Sequence, residues 1–536
     1  MNSFPQHRPV TFARRGVVAA PHYLAAEAGM DMLKAGGNAI DAAIAASATL
    51  QVVYPFVCGL GGDVFMLIYD AQSGSLYGLN GSGRSAQAAT IERYRELGHT
   101  TMPVFGVHSV TVPGCASGWG AAAQRFGRLG LAQSLAPAIS YAEEGFAVGP
   151  GLHAALTSGL KRPEMHRSWR THFLPDGVVP PVGTIKRFPT LAQSLRVIAK
   201  DGPEAFYRGE LAEQIASFFA REGGLITHED LAAHQSDWVT PLSVPFAGLR
   251  VYELPPNTQG VTALQMLGIL DRLDLGADPL DVKTVHPAVE AKKLAFADRA
   301  AYLTDRAHMR VDPAALIEPD YLTQRSALID PNRAQMSLDP GGFTGDTIYL
   351  CAADRDGNVV SLIQSNYMGF GSGVVVDDTG IVLQNRGAYF SLDPAAANAL
   401  APAKRTLHTL IPSLALRDGR PAMVFGTMGG DGQPQTHLQV YTAVARFGLN
   451  IQQALEMPRW VHGTTHSATP GGETLVVENR FPAETLDALR QRGHIIQEQG
   501  PWFTGMGYAQ GIVFDPTTGV MQGGSDPRAE GIAAGW

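Results

Sequence analysis

The sequence predicts a mixed α/β (α+β) fold whose helices and strands form stacked layers. Helical periodicity dominates about residues 115–330, and the pattern turns β-rich after Thr347. The chain has 536 residues, of which 45% are hydrophobic, so it can bury either several cores or one large layered unit.

Periodic apolar residues predict helices along most of the chain. The first two are separated by Gly36 and Gly37, and Asn38 is suited to cap the second helix at its N-terminus. The predicted helices cover residues 24–33, 38–50, 132–144, 190–199, 210–221, 262–273, 287–303, 435–447 and 482–492.

Two hairpins are predicted from β-rich runs that are joined by turn residues. Residues 64–69 and 76–79 flank a Ser-Gly-Ser turn, and residues 347–353 and 359–363 flank Asp-Gly-Asn. The segment before the second hairpin, residues 331–345, is polar and contains glycine and proline, which predicts a loop. Thr347 therefore stands at the start of a strand, directly after a loop.

Bulk composition narrows the class of function. The formal net charge is -8 and no Lys/Arg cluster stands out, which argues against binding to nucleic acid or to a membrane surface. The three cysteines, Cys58, Cys115 and Cys351, lack C-x-x-C spacing, so we expect buried free thiols and neither a metal nor another cofactor. The N-terminus lacks the apolar core of a signal peptide, and the Ala-rich run 39–53 falls short of a bilayer span, so we expect a cytoplasmic protein.

The position of Thr347 predicts a nucleophile. If the bond between Asp346 and Thr347 breaks, the threonine hydroxyl and a new α-amine share one residue. An α-amine has a reference pKa of about 7.7–8.0, so it can accept the hydroxyl proton near neutral pH and return a proton to a leaving amine. This is the N-terminal nucleophile arrangement.

The same hydroxyl can also cut its own chain. Thr347 attacks the carbonyl of Asp346, an N-to-O acyl shift gives an ester, and water hydrolyses that ester. The products are a large chain of residues 1–346 and a small chain of residues 347–536. We therefore expect two subunits from one precursor.

Ordered sequence matches connect this chemistry to a family. From about Arg15 to the C-terminus, the chain resembles the γ-glutamyltransferases (glutathione hydrolases), which are N-terminal nucleophile hydrolases, and it looks nearest to their amidohydrolase- and acylase-like members. Asp63 stands where a third glycine is usual. The matching segments are GMDMLKAGGNAIDAA (29–43), CGLGGD (58–63), VPG (112–114), PPNTQG (255–260), KLAFADR (293–299), GDTIY (345–349) and GG (429–430).

The resemblance implies a four-layer αββα sandwich, in which residues 1–346 and 347–536 together form one unit. It implies that Gly429 and Gly430 bind the oxyanion, since glycine backbone can approach a ligand closely. Ser365 falls at the position of the family's second hydroxyl, which orients the nucleophile; the alternative is a polar strand residue without that role. We also consider a dimer of processed heterodimers.

The substrate-binding positions depart from those of γ-glutamyl specialists. Arg84 lies about two positions after the place of the family's carboxylate-binding arginine, and Tyr389 replaces an aspartate that pairs with the substrate's α-amine. Tyr367 replaces an asparagine near the second hydroxyl. His408 and Thr409 replace paired serines beside the carboxylate.

These substitutions keep anion binders and remove the expected ammonium partner. Arg84, Arg386, His408 and Thr409 can bind a carboxylate, although a structural ion pair is the alternative role for each arginine. An acid-bearing amide without a free α-amine should therefore fit at least as well as glutathione. The chain between Tyr389 and His408 is also shorter than in relatives with a lid loop, so we expect a pocket that is open on that side.

Three functions follow from the sequence. The first and favoured one is a self-processing threonine amidohydrolase that hydrolyses γ-glutamyl amides such as glutathione, or transfers their acyl group. The second is the same chemistry on a small amide acid such as oxamate, or on a cephalosporin-type amide. The third, a catalytically silent binding protein on the same fold, is disfavoured because the nucleophile, the second hydroxyl and the glycine pair are all present.

Overall fold

The computed structural model describes residues 6–335, 346–463 and 473–536. Its strands are β1 (Thr11–Ala13), β2 (Gly16–Ala20), β3 (Asp63–Asp70), β4 (Ser75–Gly81), β5 (Phe146–Ala147), β6 (Ile185–Lys186), β7 (Asp237–Val239), β8 (Leu242–Phe246), β9 (Leu249–Glu253), β10 (Asp346–Asp354), β11 (Val359–Tyr367), β12 (Val374–Val376), β13 (Ile381–Leu383), β14 (Ser413–Arg417), β15 (Arg420–Thr427), β16 (Trp460–His462), β17 (Thr474–Glu478), β18 (Ile495–Gln499), β19 (Ala509–Phe514), β20 (Met521–Ser525) and β21 (Ile532–Gly535).

The α-helices alternate with these strands in the first part of the chain and are fewer after β10. They are α1 (Tyr23–Lys34), α2 (Ala39–Val53), α3 (Ile91–Glu96), α4 (Cys115–Phe126), α5 (Leu131–Glu144), α6 (Pro150–Leu160), α7 (Arg167–Phe173), α8 (Pro189–Asp201), α9 (Glu204–Tyr207), α10 (Glu210–Arg221), α11 (His228–Ala232), α12 (Gly260–Leu270), α13 (Val282–Tyr302), α14 (Pro319–Ser326), α15 (Gln433–Tyr441), α16 (Ile451–Glu456) and α17 (Ala483–Gln491).

Two seven-stranded antiparallel sheets organise the molecule. One has the order β1-β20-β19-β15-β14-β9-β8, and the other has the order β21-β2-β10-β11-β3-β4-β7. The β10–β11 hairpin lies in the middle of the second sheet, between β2 and β3. Each sheet therefore contains strands from both sides of Thr347, and the mixed α/β prediction is confirmed.

Alternate residues of the central strands serve two different cores. In β10, Ile348 and Leu350 belong to a cluster that includes helices α1, α2 and α5. Tyr349 and Cys351 instead pack with residues of the other sheet, such as Leu414. Because side chains alternate across a strand, odd-numbered positions of β10 face the layer between the sheets. Thr347 is the odd-numbered position nearest the start of β10.

Local signals explain most of the predicted elements. The second helix begins where expected because the Asn38 side chain accepts hydrogen bonds from the N–H groups of Ile40 and Asp41, and Asp41 completes a capping box. The helix predicted from residue 287 begins earlier, at Val282, because the Asp281 side chain accepts from the N–H of Lys283 and caps it there. The three cysteines are buried and free, as predicted.

Two expectations need qualification. The region of residues 115–330, predicted as mostly helical, also contributes β5 to β9, including β8 at the edge of the first sheet and β9 beside it. Their short alternating runs carry too little periodicity to stand out between long helices. Of the predicted loop 331–345, residues 336–345 lie outside the described residues. No helix in the described part of the chain has the length and apolarity needed to cross a membrane.

Candidate active site

Thr347 and Ser365 form a hydroxyl pair on neighbouring strands. Thr347 is buried near the start of β10, where the pairing with β11 is irregular between Asp346 and Ile348. Such irregularities re-aim a side chain. Thr347 Oγ1 lies 3.2 Å from Ser365 Oγ, which also accepts a hydrogen bond of 2.7 Å from the N–H of Tyr367. The structure thus places the predicted second hydroxyl against the predicted nucleophile, and Asp346 opens the strand opposite Tyr367.

A buried carboxylate lies on the strand next to Ser365. Asp63 is the Cα partner of Ser365 in the β3–β11 ladder. Its Oδ1 accepts from the N–H of Gly83 at 3.2 Å, and its Oδ2 lies 3.0 Å from His408 Nε2. Burial raises the pKa of Asp63 to about 7, although the positive charge of Arg386 opposes that shift. Asp63 therefore changes charge near neutral pH.

His408 is a neutral partner for this carboxylate. It is buried, and burial lowers the pKa of its imidazole well below the usual value, with Arg386 acting in the same direction. The N–H of Leu410 points to His408 Nδ1 at 3.4 Å, which assigns the ring proton to Nε2 and makes the imidazole a donor to Asp63. His408 is thus held by Asp63, and its uncharged ring cannot serve as a cationic anion binder.

Arg386 is a buried cation whose hydrogen-bond donors are only partly used within the described part of the chain. Its guanidinium lies 4.2 Å from the ring centre of Tyr367 and donates to Thr409 Oγ1 at 3.0 Å. Burial lowers its pKa to about 10, so it stays protonated at neutral pH. Among the described residues, its Nε and Nη2 have no hydrogen-bond partner. A buried guanidinium with unpaired N–H groups is suited to bind an anionic group of a ligand.

Tyr367 holds an unusual backbone conformation beside the nucleophile. Its φ is 76°, in the left-handed region that a bulky residue rarely adopts. This conformation lets its N–H reach Ser365 while its ring covers Arg386. The strained residue therefore links the hydroxyl pair to the buried cation.

The glycine pair forms a tight turn directly after β15. Gly429 has a φ of 129° and Gly430 a φ of 55°, and both values favour glycine. The carbonyl of Gly429 accepts from the N–H of Gly432, and the carbonyl of Gly430 accepts from Gln259 Nε2 at 3.0 Å. The same Gln259 nitrogen donates to the carbonyl of Thr409 at 2.9 Å, so the glycine turn is tied directly to the segment that holds Arg386.

Tyr389 belongs to a second charged group near the glycine turn. Its hydroxyl donates to Asp431 Oδ1 at 2.8 Å, and Arg299 Nη1 lies 2.6 Å from the same oxygen. The rings of Tyr367 and Tyr389 meet edge to face, with their centres 5.5 Å apart. The Asp431 carboxylate is therefore already neutralised by Arg299.

Arg84, in contrast, lies in a separate cluster. Its side chain is 42% exposed, and its guanidinium pairs with Asp305 at 3.3 Å and donates to the carbonyl of Ala403. It lines a different cavity, together with Arg306 and Arg405. This arrangement is the structural ion pair that the sequence left open, so Arg84 is not grouped with the other predicted substrate-binding residues.

A cavity of about 510 Å³ borders the charged group around Tyr389. Its walls include Arg299, Leu303 and Leu407, together with the segment of residues 388–393 and residues 396–398. It lies beside the chain between Tyr389 and His408, where the sequence predicted an open pocket. Its lining is largely apolar, with Arg299 and Asp393 as the charged members.

One group in the described part of the chain has the composition of a metal site. Atoms of His286, Glu290 and His494 lie within 4.8 Å of one another, and all three side chains are buried. However, Lys293 Nζ lies 2.8 Å from Glu290 Oε1, and the two imidazoles are hydrogen bonded at 2.8 Å. An ammonium group on the carboxylate opposes a bound cation, so this cluster is best described as a satisfied polar network.

Three residues of the site were not identified from the sequence. They are Gln259, Arg299 and Asp431. Each one lies in or directly beside a segment that matches the family, PPNTQG, KLAFADR and the glycine pair. The matches were a usable signal, but the contacts between these distant segments appear only in the structure.

The chain is similar to known proteins over nearly its whole length. Residues 25–536 match the family model described as gamma-glutamyltranspeptidase. The glutathione hydrolase-like YwrD proenzyme of Bacillus subtilis (strain 168) is 40% identical over 521 residues, which cover 97% of this chain and 98% of that protein. The oxamate amidohydrolase proenzyme of Klebsiella pneumoniae subsp. pneumoniae is 41% identical over 529 residues, with coverage of 97% and 98%.

A solved structure extends the similarity to the whole chain. The crystal structure of cephalosporin acylase from Bacillus halodurans superimposes with a TM-score of 0.93 at 45% identity, covering 100% of this chain and 98% of that one. The family prediction is confirmed. The chain belongs to the gamma-glutamyltranspeptidase family, and it is similar to members named for amidohydrolase and acylase activity.

Proposed function

We propose that this protein is a self-processing amidohydrolase whose nucleophile is Thr347. The contact between Thr347 Oγ1 and Ser365 Oγ, at the start of a central strand and beside a buried cation, carries this proposal. Similarity to relatives named proenzymes supports processing of one precursor into chains 1–346 and 347–536. In such a reaction Thr347 attacks the carbonyl of Asp346, and water hydrolyses the resulting ester.

Amide hydrolysis then follows the same chemistry at the new N-terminus. The α-amine of Thr347 accepts the hydroxyl proton as Oγ1 attacks the substrate carbonyl, and Ser365 orients the hydroxyl. N–H groups of the Gly429–Gly430 turn stabilise the oxyanion, an interaction that is typically worth about 3 kcal/mol. The leaving amine takes the proton, and water hydrolyses the acyl ester to release the acid and regenerate Thr347.

The acyl group carries a carboxylate in this proposal. In the described part of the chain, two buried nitrogens of Arg386 have no hydrogen-bond partner, and Thr409 orients the guanidinium. A free α-amine on the substrate would need a carboxylate partner. Both nearby carboxylates are already engaged, Asp431 by Arg299 and Asp63 by His408. We therefore infer that acid-bearing amides without an α-amine, such as oxamate or a dicarboxylic acid monoamide, are preferred.

A γ-glutamyl substrate is the second candidate, with hydrolysis of glutathione or transfer of its acyl group as the reaction. The sequence placed this candidate first, and the similarity to a relative named glutathione hydrolase-like favours it. The engaged state of Asp431 and Asp63 reverses that order. The candidates differ in the α-amine, so a substrate comparison separates them.

Assays on the processed enzyme test this proposal. Rates on oxamate, a glutaryl amide, γ-glutamyl anilide and glutathione are compared at equal concentrations of active sites. We expect an acid-bearing amide without an α-amine to have the highest kcat/KM. If glutathione is hydrolysed fastest by a wide margin, the substrate assignment is wrong, while the assignment of the nucleophile stands.

The layer arrangement belongs to the same proposal. We infer that the elements form an αββα sandwich of the N-terminal nucleophile type. The support is the separation of the cores: one cluster joins α1, α2 and α5 to the sheet that contains β10, another joins α12, α15 and α17 to the sheet that contains β15, and a third lies between the sheets.

A further inference from the structure

The side chain of Gln259 connects two parts of the proposed site. Its Nε2 donates to the carbonyl of Thr409 at 2.9 Å and to the carbonyl of Gly430 at 3.0 Å. Its Oε1 accepts from Arg299 Nη1 at 2.6 Å. Because the nitrogen meets two carbonyls and the oxygen meets a guanidinium, the amide has one favourable orientation. Gln259 is also fully buried, so water does not compete for these bonds.

The main chain reinforces the same connection. The N–H of Gln259 donates to the carbonyl of His408 at 2.9 Å, and the N–H of His408 donates to the carbonyl of Asn257 at 2.7 Å. The segment that contains Thr409 is thus held against Gln259 by backbone and side-chain bonds together. Thr409 in turn accepts from Arg386, the proposed carboxylate binder.

Arg299 fixes Gln259 from the other side. One nitrogen, Nη1, donates to both Gln259 Oε1 and Asp431 Oδ1, each at 2.6 Å. Asp431 follows the glycine pair directly, and its carboxylate also accepts from the hydroxyl of Tyr389. Burial disfavours the guanidinium charge, but the Asp431 carboxylate outweighs this effect and raises the pKa of Arg299.

These contacts form one rigid link between the carboxylate binder and the oxyanion turn. We infer that Gln259 and Arg299 are positioning residues that set the distance between Arg386 and the Gly429–Gly430 turn, and thereby select the length of the acyl group. This inference rests on the proposed function. It adds that selectivity for acyl length is encoded in buried residues that do not contact the nucleophile.

The test compares substrates of increasing length. The dicarboxylic acid monoamides from oxamate through malonamate and succinamate to glutaramate differ only in the spacing between carboxylate and scissile carbonyl. We expect the wild-type enzyme to prefer one length. In Gln259→Met and Arg299→Lys, the kcat/KM for that length should fall by about tenfold or more, because small misplacements of a reacting group are costly. The kcat/KM values for the other lengths should fall less, so kcat/KM depends less strongly on acyl length in these variants.

Arg325→Lys is the matched control. Arg325 pairs with Asp298 of the same helix that carries Arg299, and it also donates to the carbonyl of Leu294, but it has no contact with Gln259 or the glycine turn. The ratios of kcat/KM between the substrates of different length should be the same in Arg325→Lys as in the wild type. All rates are expressed per processed chain, as measured by mass spectrometry, so that incomplete maturation does not distort them.

Each outcome has a defined meaning. If Gln259→Met and Arg299→Lys lower the rates on all lengths equally, or if both stay unprocessed while Arg325→Lys matures, the residues serve folding or maturation and the inference is overturned. If only one of the two variants is processed, the dependence of its kcat/KM on acyl length decides whether the inference stands. If the wild-type enzyme cleaves no monoamide of the series, the proposed function is wrong. This outcome differs from a loss of length preference in the variants, which concerns the inference alone.

Discussion

Arg386 and Arg84 looked alike in the sequence and differ in the structure. Both were predicted to bind the substrate's carboxylate. Arg84 is 42% exposed and paired with Asp305, whereas Arg386 is 1% exposed and has N–H groups beside Tyr367 that find no partner among the described residues. An exposed ion pair contributes little and needs no ligand. A buried cation with open donors carries a cost that a bound anion relieves. We therefore propose Arg386, and not Arg84, as the residue that binds the substrate's carboxylate.

Arg299 sharpens the comparison further. It is buried like Arg386 but paired like Arg84, because the Asp431 carboxylate lies 2.6 Å away. The site thus contains two buried guanidinium groups that differ in their pairing. Arg299 is paired with Asp431, whereas Arg386 has nitrogens without a hydrogen-bond partner among the described residues, and we propose that a ligand pairs with these.

Removing each guanidinium should separate the two roles most strongly. We expect Arg386→Met to lower kcat/KM for an acid-bearing amide by about 100-fold, because two charge-assisted hydrogen bonds to the carboxylate are lost. Arg84→Met should stay within about threefold of the wild type, because the Arg84 side chain is 42% exposed and solvent screens its charge. Steady-state kinetics on the processed enzymes measure both. If kcat/KM falls equally in the two variants, the assignment of different roles to Arg386 and Arg84 is wrong.

The charge of Asp63 should modulate Arg386 with pH. The groups that face Asp63 are Arg386, the neutral His408 and, at longer range, Arg405. As the pH rises through about 7, Asp63 loses its proton and offsets the positive charge of Arg386. The KM for an acid-bearing amide should then rise by roughly threefold to tenfold, as expected for one pKa unit or less of interaction. Asp63→Asn should abolish this rise, and a KM that rises equally in both proteins would contradict it.

The protonation of Asp63 should also make the folding stability depend on pH. An aspartate in the unfolded chain loses its proton near pH 3.9, whereas folded Asp63 holds it until about pH 7. Between these values the folded state binds the additional proton, so its stability falls as the pH rises through the window. The Tm of the wild type relative to Asp63→Asn should therefore decrease from about pH 4 to about pH 7. A Tm difference that is constant across this range would show that Asp63 is ionised throughout.

The smallest expected effect concerns Tyr389. Because Asp431 is engaged by Arg299, a substrate ammonium has no free partner at this position. Tyr389→Asp supplies a second carboxylate, and kcat/KM for γ-glutamyl anilide should rise several-fold relative to oxamate. Tyr389→Phe, which loses only the hydroxyl that donates to Asp431, serves as the control. No relative gain in Tyr389→Asp would mean that the α-amine does not reach this side of the site.

Much of this arrangement could be predicted from the chain itself. The Asp-Gly-Asn turn and its flanking β-rich runs identified the β10–β11 hairpin, whose register is local. Counting from that turn put Ser365 at the position of the family's second hydroxyl, and the structure places it beside Thr347. The cap at Asn38 was equally local. Such features depend on neighbours within a few residues, where sequence patterns are informative.

The rest depends on contacts between distant segments. Nothing in the sequence near Arg84 indicates that Asp305 lies beside it, more than two hundred positions away. The contacts of Gln259 with Gly430 and of Arg299 with Asp431 join segments that are 171 and 132 positions apart. Local pattern carries no information about such pairings, so an exposed, paired arginine and a buried, incompletely paired arginine could not be distinguished before the fold was known.

The identity of the small chain's first residue tests the central claim most directly. Intact-mass measurement and N-terminal sequencing should be applied to the purified wild type and to Thr347→Ala. We predict that the wild type consists of two chains, the smaller beginning with a free α-amine at Thr347, and that Thr347→Ala remains one inactive 57.0 kDa chain. A wild-type protein that stays in one piece while hydrolysing its amide substrate at full rate would contradict the account.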